Sequence, residues 1–388
     1  EKMIDIQTYF KPVNSVKYAD KNIWETTQIG RSIDTHLENH FPDLNFTEIV
    51  VFNIEEYEGS KNYTSDSDCP IRSFFYSFHH EKLPRIADLG TMHLMPTRKE
   101  TFNIIQKICE KFLNDGIIPL IIGGGHDLSY AVYKSYCAME KIINLTAVDS
   151  KFDIGLQDDN LASFSHLGKI ISHKPNYLFH YTNLGYQSFL VSNIANEMLR
   201  EMNFDTFRLG DLKANFNEVE PIMRNTDFVS FDISSIKYSY ARGNIYSSPN
   251  GFDGEEACKI MRYAGVSDKV TAVGLFEYNQ DLDKDNQTAY LLAEMIWYFV
   301  DGYMIRKNEL NPNTSACAKY TVAFADGKNE IIFYKSQSSG RWWMAVPFNK
   351  VGFKEKQIYY VACSYRDYEM ANQGDLPERW IKTFNKFI

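Results

Sequence analysis

The stretch IIPLIIGGGHDLSYAVYKSYCAM, residues 117–139, decides the fold. Residues 117–125 form a short, wholly apolar run that ends in three glycines. A strand with no polar face is covered on both sides, as in a parallel sheet between helices. The glycines mark a tight exit, and helical spacing resumes at once in LSYAVYKSYCAM. Upstream, residues 99–116 place Phe102, Ile105, Ile108, Cys109 and Phe112 on one helical face, with Gly116 as the stop. Helix, strand and helix thus follow each other within about forty residues.

The alternation continues outward. Residues 46–54, 142–149, 176–187, 227–233 and 269–278 read as further strands. Residues 254–265 and 286–300 carry helical periodicity. Strands joined by helical crossovers pair in parallel. The expected fold is a three-layer α/β/α sandwich with a mostly parallel central sheet. Such sheets gather their chemistry at the carboxyl ends of their strands.

The texture changes near NPNTSA (311–316). Beyond it, residues 319–348 alternate apolar and polar positions, with turn signals at ADGKNE and SQSSGR. The expected organisation is an α/β/α domain over 1–311 and a small β-rich extension over 312–388 packed on it.

The 388 residues include 41 Lys and Arg against 50 Asp and Glu, a net charge of −9. That balance excludes a duplex nucleic-acid partner, which requires a basic face. It suits a protein of the cell interior, and a cytoplasmic location is expected. Tyrosine (25) and phenylalanine (27) are abundant enough for a large, well-filled core. Cys69, Cys109, Cys137, Cys258, Cys317 and Cys363 are scattered without a paired spacing, so free thiols are expected. No apolar run reaches the roughly 18 residues of a membrane helix, so no membrane partner is expected. The opening EKMIDIQTYF lacks the basic-then-apolar pattern of a secretory signal.

Three polar clusters fall at strand ends. The first is GGGHD (123–127), which lacks both the GxGxxG and the Walker pattern and offers one imidazole, His126. A turn histidine bonded to a carbonyl is the plain alternative. The second is DSKFD (149–153), where Asp149 and Asp153 flank Lys151 after a buried strand; an exposed acidic turn is the alternative. The third is SFDISSIKYSYA (230–241), with Asp232 inside an apolar strand, where an unpaired carboxylate is costly. One histidine and three aspartates make a hard, oxygen-rich ligand set that suits Mn²⁺ better than structural zinc.

Taken in order, these clusters resemble the ureohydrolase superfamily of arginase, agmatinase and formimidoylglutamase, closest in motif style to the last. The resemblance runs over roughly residues 45–305. GGGHD resembles the GG(D/G)H(S/D/E) motif, and DSKFDIG resembles DAHFD. SFDISSIKYSYA with the later SPNG resembles SxDxDxxDPxxAPxxxTPxxG. FEYNQDLDKDNQTA (276–289) resembles ExNPxxDxxxxTA, and SDCPIR (67–72) resembles an early GPxxIR stretch. In that family two Mn²⁺ ions activate a hydroxide that attacks a guanidino or formimino carbon.

The resemblance implies a first metal held by His126, Asp149, Asp153 and Asp232, with Asp149 and Asp232 shared with a second. It implies that Glu277 holds the cationic group of the substrate, with Asn279 beside it. The histidine and aspartate expected for the second metal are replaced by Lys151 and Ser234. The DP pair becomes Lys237 and Tyr238, and the proline after Asn279 becomes Gln280. Asp149, Asp153 and Asp232 total three negative charges, which one divalent ion and the Lys151 ammonium would balance. The expectation is therefore one Mn per chain, with Lys151 in the place of the second ion, bridging Asp149 and Asp232. Asp149, Lys151 and Glu277 are the candidate catalytic residues.

Two functions follow. One is a single-metal hydrolase of a linear C–N bond, formimidoylglutamase- or arginase-like, in which Lys151 stabilises developing charge. The other is a catalytically inactive homologue acting as a scaffold, binding or regulatory protein. A small-molecule substrate or ligand is expected in either case, and the resemblance implies a homo-oligomer, trimer or hexamer. His79, His80, His93, His166, His173 and His180 show no ligand spacing and are expected at the surface or as satisfied core residues.

Overall fold

The computed structural model describes residues 5–60, 62, 70–155, 160–324, 330–349 and 356–387. Ten strands form the central sheet: β1 (Phe10–Lys11), β2 (Asp34–Thr35), β3 (Ile49–Ile54), β4 (Ile86–Met92), β5 (Ile118–Gly123), β6 (Ile143–Val148), β7 (Leu178–Tyr186), β8 (Asp205–Arg208), β9 (Phe228–Asp232) and β10 (Ala272–Phe276). Their order is β1-β4-β3-β5-β10-β9-β6-β7-β8, with β2 also on β4. Every pairing is parallel except β1 with β4.

The apolar strands divide their side chains between two cores. On β3, Ile49 and Val51 point to one face, and Val50, Phe52 and Ile54 to the other. The first face meets helices Pro70–Ser77, Gly254–Val266 and Gln287–Met304; the second meets Arg98–Asn114 and Leu128–Ala138. Burial on both faces is the physical reason that β5 is apolar throughout and that β3 and β6 are mostly so. Helix Arg98–Asn114 is closed by a capping box between Thr97 and Glu100. It stops at Gly116, whose φ of +74° favours glycine.

The C-terminal sheet is antiparallel, with β11 (Cys317–Ala323), β12 (Glu330–Ser336), β13 (Trp342–Phe348) and β14 (Gln357–Cys363) in sequence order. The SQSSGR turn joins β12 to β13, whereas most of ADGKNE lies outside the described residues. Helices Tyr365–Asn372 and Glu378–Asn385, absent from the sequence reading, cover one face of this sheet. The sheet is fastened to the central fold by Arg224, which donates to the carbonyls of Trp342 (3.0 Å) and Cys363 (2.9 Å). Asn225 exchanges two further bonds with Ala362. Cys109, Cys137, Cys258, Cys317 and Cys363 are free thiols, and Cys69 lies outside the described residues. No helix among the described residues is long and apolar enough to cross a membrane.

Candidate metal centre

Strands β5, β10, β9 and β6 are consecutive in the sheet, so their carboxyl ends deliver His126, Glu277, Asp232 and Asp149 to one place. The β5 exit needs its glycines for space. A Cβ on Gly124 would lie 1.8 Å from the Glu56 carbonyl oxygen. Gly124 and Gly125 instead donate to Ile54 and Glu56 carbonyls at 2.7 and 2.9 Å. Arg98 braces the same loop through Glu56, Asp127 and the Leu161 carbonyl.

His126 is fully buried. Its Nδ1 faces Oδ2 of Asp153 at 3.2 Å, of Asp149 at 3.4 Å and of Asp232 at 3.6 Å. The outer carboxylate oxygens are already engaged. Asp149 Oδ1 accepts the amide of Lys151 at 2.9 Å, and Asp232 Oδ1 accepts that of Ser234 at 2.7 Å. These short turns aim one oxygen of each residue inward. On the far side of the imidazole, Nε2 meets Ser230 Oγ at 2.8 Å, and Ser230 Oγ meets Ser129 Oγ at 2.6 Å. With Nε2–H donated to Ser230, the Nδ1 lone pair is turned toward the carboxylates.

One ligand atom from each of His126, Asp149, Asp153 and Asp232 lies within 4.8 Å of all the others. Three carboxylate oxygens converging on one imidazole nitrogen in a buried site demand a cation. A proton meets part of that demand. Burial disfavours a charged His126, but hydrogen bonds to Asp149, Asp153 and Asp232 hold its pKa well above the usual range. Asp149 is pushed up to about 7, by burial first and the charge of Asp153 second. A divalent cation suits this donor set better, because it takes all four inward atoms at once. Asp153, at φ +50°, and Glu277, at φ +69°, hold left-handed backbone that costs a non-glycine residue about 1–2 kcal/mol. Strain of this kind concentrates at functional sites.

Lys151 does not stand where the sequence reading put it. Its Nζ lies over the Tyr246 ring, 5.0 Å from the centroid, and no carboxylate among the described residues pairs with it. The expected bridge between Asp149 and Asp232 is not formed. Each of those carboxylates turns one oxygen to a backbone amide and the other to His126. Ser234 contributes its backbone amide to Asp232.

Glu277 also has partners other than those expected. It is buried, its Oε1 accepts from the His126 amide (2.8 Å) and Ser163 Oγ (2.6 Å), and its Oε2 accepts from Ser60 Oγ (2.6 Å). Burial first and the charge of Asp232 second raise its pKa to about 7. Here it holds the His126 loop in position. Asn279 is buried and caps the turn Gln280–Leu282 by accepting from the Leu282 amide.

His166, expected to be a surface or core histidine, belongs to the site. Its ring centroid is 4.2 Å from that of His126, and its Nδ1 is 3.8 Å from Asp153 Oδ2. Nδ1 donates to the Ser163 carbonyl at 2.7 Å. Burial first and the neighbouring His126 charge second push its pKa well below the usual value, so the ring is neutral. The only sequence signal was its place at the start of a helix, thirteen residues past Asp153.

The family model of the arginase family matches residues 68–301. A formimidoylglutamase of Geobacillus kaustophilus is 24% identical over 195 residues, 48% of this chain and 60% of that protein. One from Staphylococcus haemolyticus is 24% identical over 226 residues, 54% of this chain and 68% of the relative. Among solved structures, Trypanosoma cruzi formiminoglutamase with Mn2+2 superposes with a TM-score of 0.63 at 18% identity, covering 72% of this chain and 99% of that one. Bacillus subtilis formimidoylglutamase gives 0.62 at 17%, covering 72% and 93%. At such identity the superpositions show a shared fold.

Proposed function

The chain belongs to the arginase family, and we propose that it is a metal-dependent hydrolase of a linear amidine, formimino or guanidino, built around one manganese ion. The observation that carries this reading is the convergence of His126 Nδ1 with the inward oxygens of Asp149, Asp153 and Asp232. Its formimidoylglutamase relatives and the manganese in a neighbour of the same fold support the choice of substrate class and metal. The ion supplies Lewis acidity toward water and toward the amidine.

The chain's own residues do the rest. His126, Asp149, Asp153 and Asp232 would hold the ion. Ser230 fixes the ring of His126, and Glu277 fixes its backbone. His166, with Nδ1–H tied to Ser163, keeps Nε2 as its proton-accepting atom. In this reading it takes a proton from the attacking water and returns it to the leaving amine. Water adds to the amidine carbon, the C–N bond breaks, and the amine leaves with the transferred proton.

Lys151 and Ser234 favour a second reading, a ligand-binding member without turnover, because neither supplies a carboxylate or imidazole for a second ion. The two are separated by assaying the manganese-loaded chain for formamide release from formimino acids and urea release from guanidino acids. Release that disappears in His166→Gln supports hydrolysis. No release from a chain that retains manganese supports the binding member.

A further inference from the structure

Lys386 closes helix Glu378–Asn385, beyond the residues 68–301 that match the family. Its amine donates to His180 Nδ1 and to the Phe179 carbonyl, the latter at 2.8 Å. On the far side of the imidazole, Nε2 meets Asp205 Oδ2 at 2.9 Å. The other Asp205 oxygen accepts from Lys382 Nζ at 2.6 Å. With Nε2–H donated to Asp205, His180 keeps Nδ1 as its proton-accepting atom. Amine, base and orienting carboxylate thus stand in one hydrogen-bonded row. The row lies near the amino ends of β7 and β8, whereas the metal centre lies at carboxyl ends.

The Lys386 amine pairs with no carboxylate among the described residues, because both oxygens of Asp205 are engaged by His180 and Lys382. It rests instead against two rings, 5.2 Å from the centroid of Phe179 and 4.8 Å from that of Phe204. Burial pushes its pKa down to about 7, and the charge of Lys382 pushes the same way against the pull of Asp205. About half of such an amine is neutral at pH 7, against fewer than about one in a thousand for an ordinary lysine. Burial also holds His180 below the usual imidazole value, so its ring is neutral. Desolvation and a neighbouring cation are what activate a lysine as a nucleophile toward carbonyl compounds. Both residues that the amine bonds to, Phe179 and His180, line a cavity of about 270 Å³, with Phe207 and Tyr359 as further apolar walls. Lys386 itself is half-buried.

We propose that Lys386, with His180 as proton carrier and Asp205 orienting the ring, is a covalent site that forms an imine with a small aldehyde. The neutral nitrogen adds to the carbonyl carbon, and the C–O π pair moves to oxygen. His180 Nδ1 takes one amine proton and passes it to that oxygen. The nitrogen pair then closes the C=N bond, and the hydroxyl leaves as water with the second amine proton. Water is the sole leaving group, and no oxidant or metal enters. The step needs one nucleophile and one proton carrier, which is what the row supplies.

The test is reductive trapping on the full chain, with limiting propanal and cyanoborohydride, followed by peptide mass mapping of every lysine. At pH 7 Lys386 should be alkylated about tenfold or more faster than any other lysine, as its larger neutral fraction requires. Its rate relative to the other lysines should fall as pH rises above about 7, because their neutral fraction keeps growing and its own does not. His180→Gln should remove most of the excess at pH 7, with the far-ultraviolet spectrum unchanged. An ordinary rate at Lys386, or an excess that survives intact in His180→Gln, overturns the inference. Should His180→Gln fail to fold, the wild-type profile decides: a relative rate that does not change between pH 7 and pH 9 overturns it.

Discussion

Glu277 Oε1 accepts the backbone amide of His126 at 2.8 Å, so the residue at the end of β10 fixes the loop at the end of β5. The same carboxylate takes two serine hydroxyls, Ser60 and Ser163. Glu277→Gln keeps the shape but replaces one acceptor with a donor. Removing an outer-shell partner typically costs 10–100-fold in metal affinity. Manganese titration should show a loss of about that size, with the far-ultraviolet spectrum unchanged. Wild-type affinity in the variant contradicts this role.

Among the described residues, Ser230 Oγ is the hydrogen-bond partner of His126 Nε2, at 2.8 Å, and it holds the ring's orientation. Ser230→Ala should weaken manganese by about tenfold or more. The neighbouring Ser129→Ala, one bond further away, should cost less. The reverse order would mean that the ring's orientation is set elsewhere.

His126, Asp153 and His166 also lie close enough to share an ion, but the four-residue set holds one without His166 in the proposed reading. His166→Gln should therefore keep manganese stoichiometry while lowering turnover by about 10²–10⁴-fold, the usual range for a lost proton carrier. Loss of the metal instead would make His166 a ligand.

In the metal-free chain the site contributes to the pH dependence with both signs: Asp149, Glu277 and His126 favour low pH, and His166, held neutral, favours high pH. Asp149 and Glu277 titrate near 7 when folded, but near 4 when unfolded. Between those values the folded state binds more protons, so their contribution to stability falls as pH rises from about 4 to 7. His126 acts in the same direction. Its raised pKa gives stability that is complete below the ordinary imidazole value and lost as pH rises through the folded one. In thermal melts with chelator, the Tm at pH 5.5 minus that at pH 8 should be smaller in Asp149→Asn than in the wild type. A Tm difference between pH 5.5 and pH 8 that is unchanged in Asp149→Asn would refute the cluster's electrostatics.

Arg224 is buried, donates to two carbonyls of the C-terminal sheet, and lies over Trp343. Arg224→Ala strands both acceptors and should destabilise the chain by about 2–4 kcal/mol in urea unfolding. Manganese affinity should not change. An unchanged midpoint would show that the sheet is held by other contacts.

The sequence was most legible where burial was simplest. β3, β5, β6, β9 and β10 read correctly because both faces are covered and their runs are mostly apolar, with Asn53, Asn144, Thr146 and Ser230 as isolated buried polar positions. β4 was overlooked because Asp88 sits in the middle of it. The structure neutralises that carboxylate with Arg72 at 2.7 Å and with Tyr76, partners from a distant helix. Helices Tyr365–Asn372 and Glu378–Asn385 escaped because they are short, and the second buries no residue fully. At the site, strand ends revealed His126, Asp149, Asp153 and Asp232. The direction of the Lys151 stem was not legible, since it depends on Tyr246, 95 residues away by subtraction of their numbers. Nor was the role of His166, whose spacing matches no ligand pattern.

The central claim is tested most directly by elemental analysis of manganese after loading and buffer exchange, for the wild type and for Asp232→Asn. The account predicts about one ion per chain in the wild type and a loss of retained metal in the variant. Two ions per chain, or none, would contradict it.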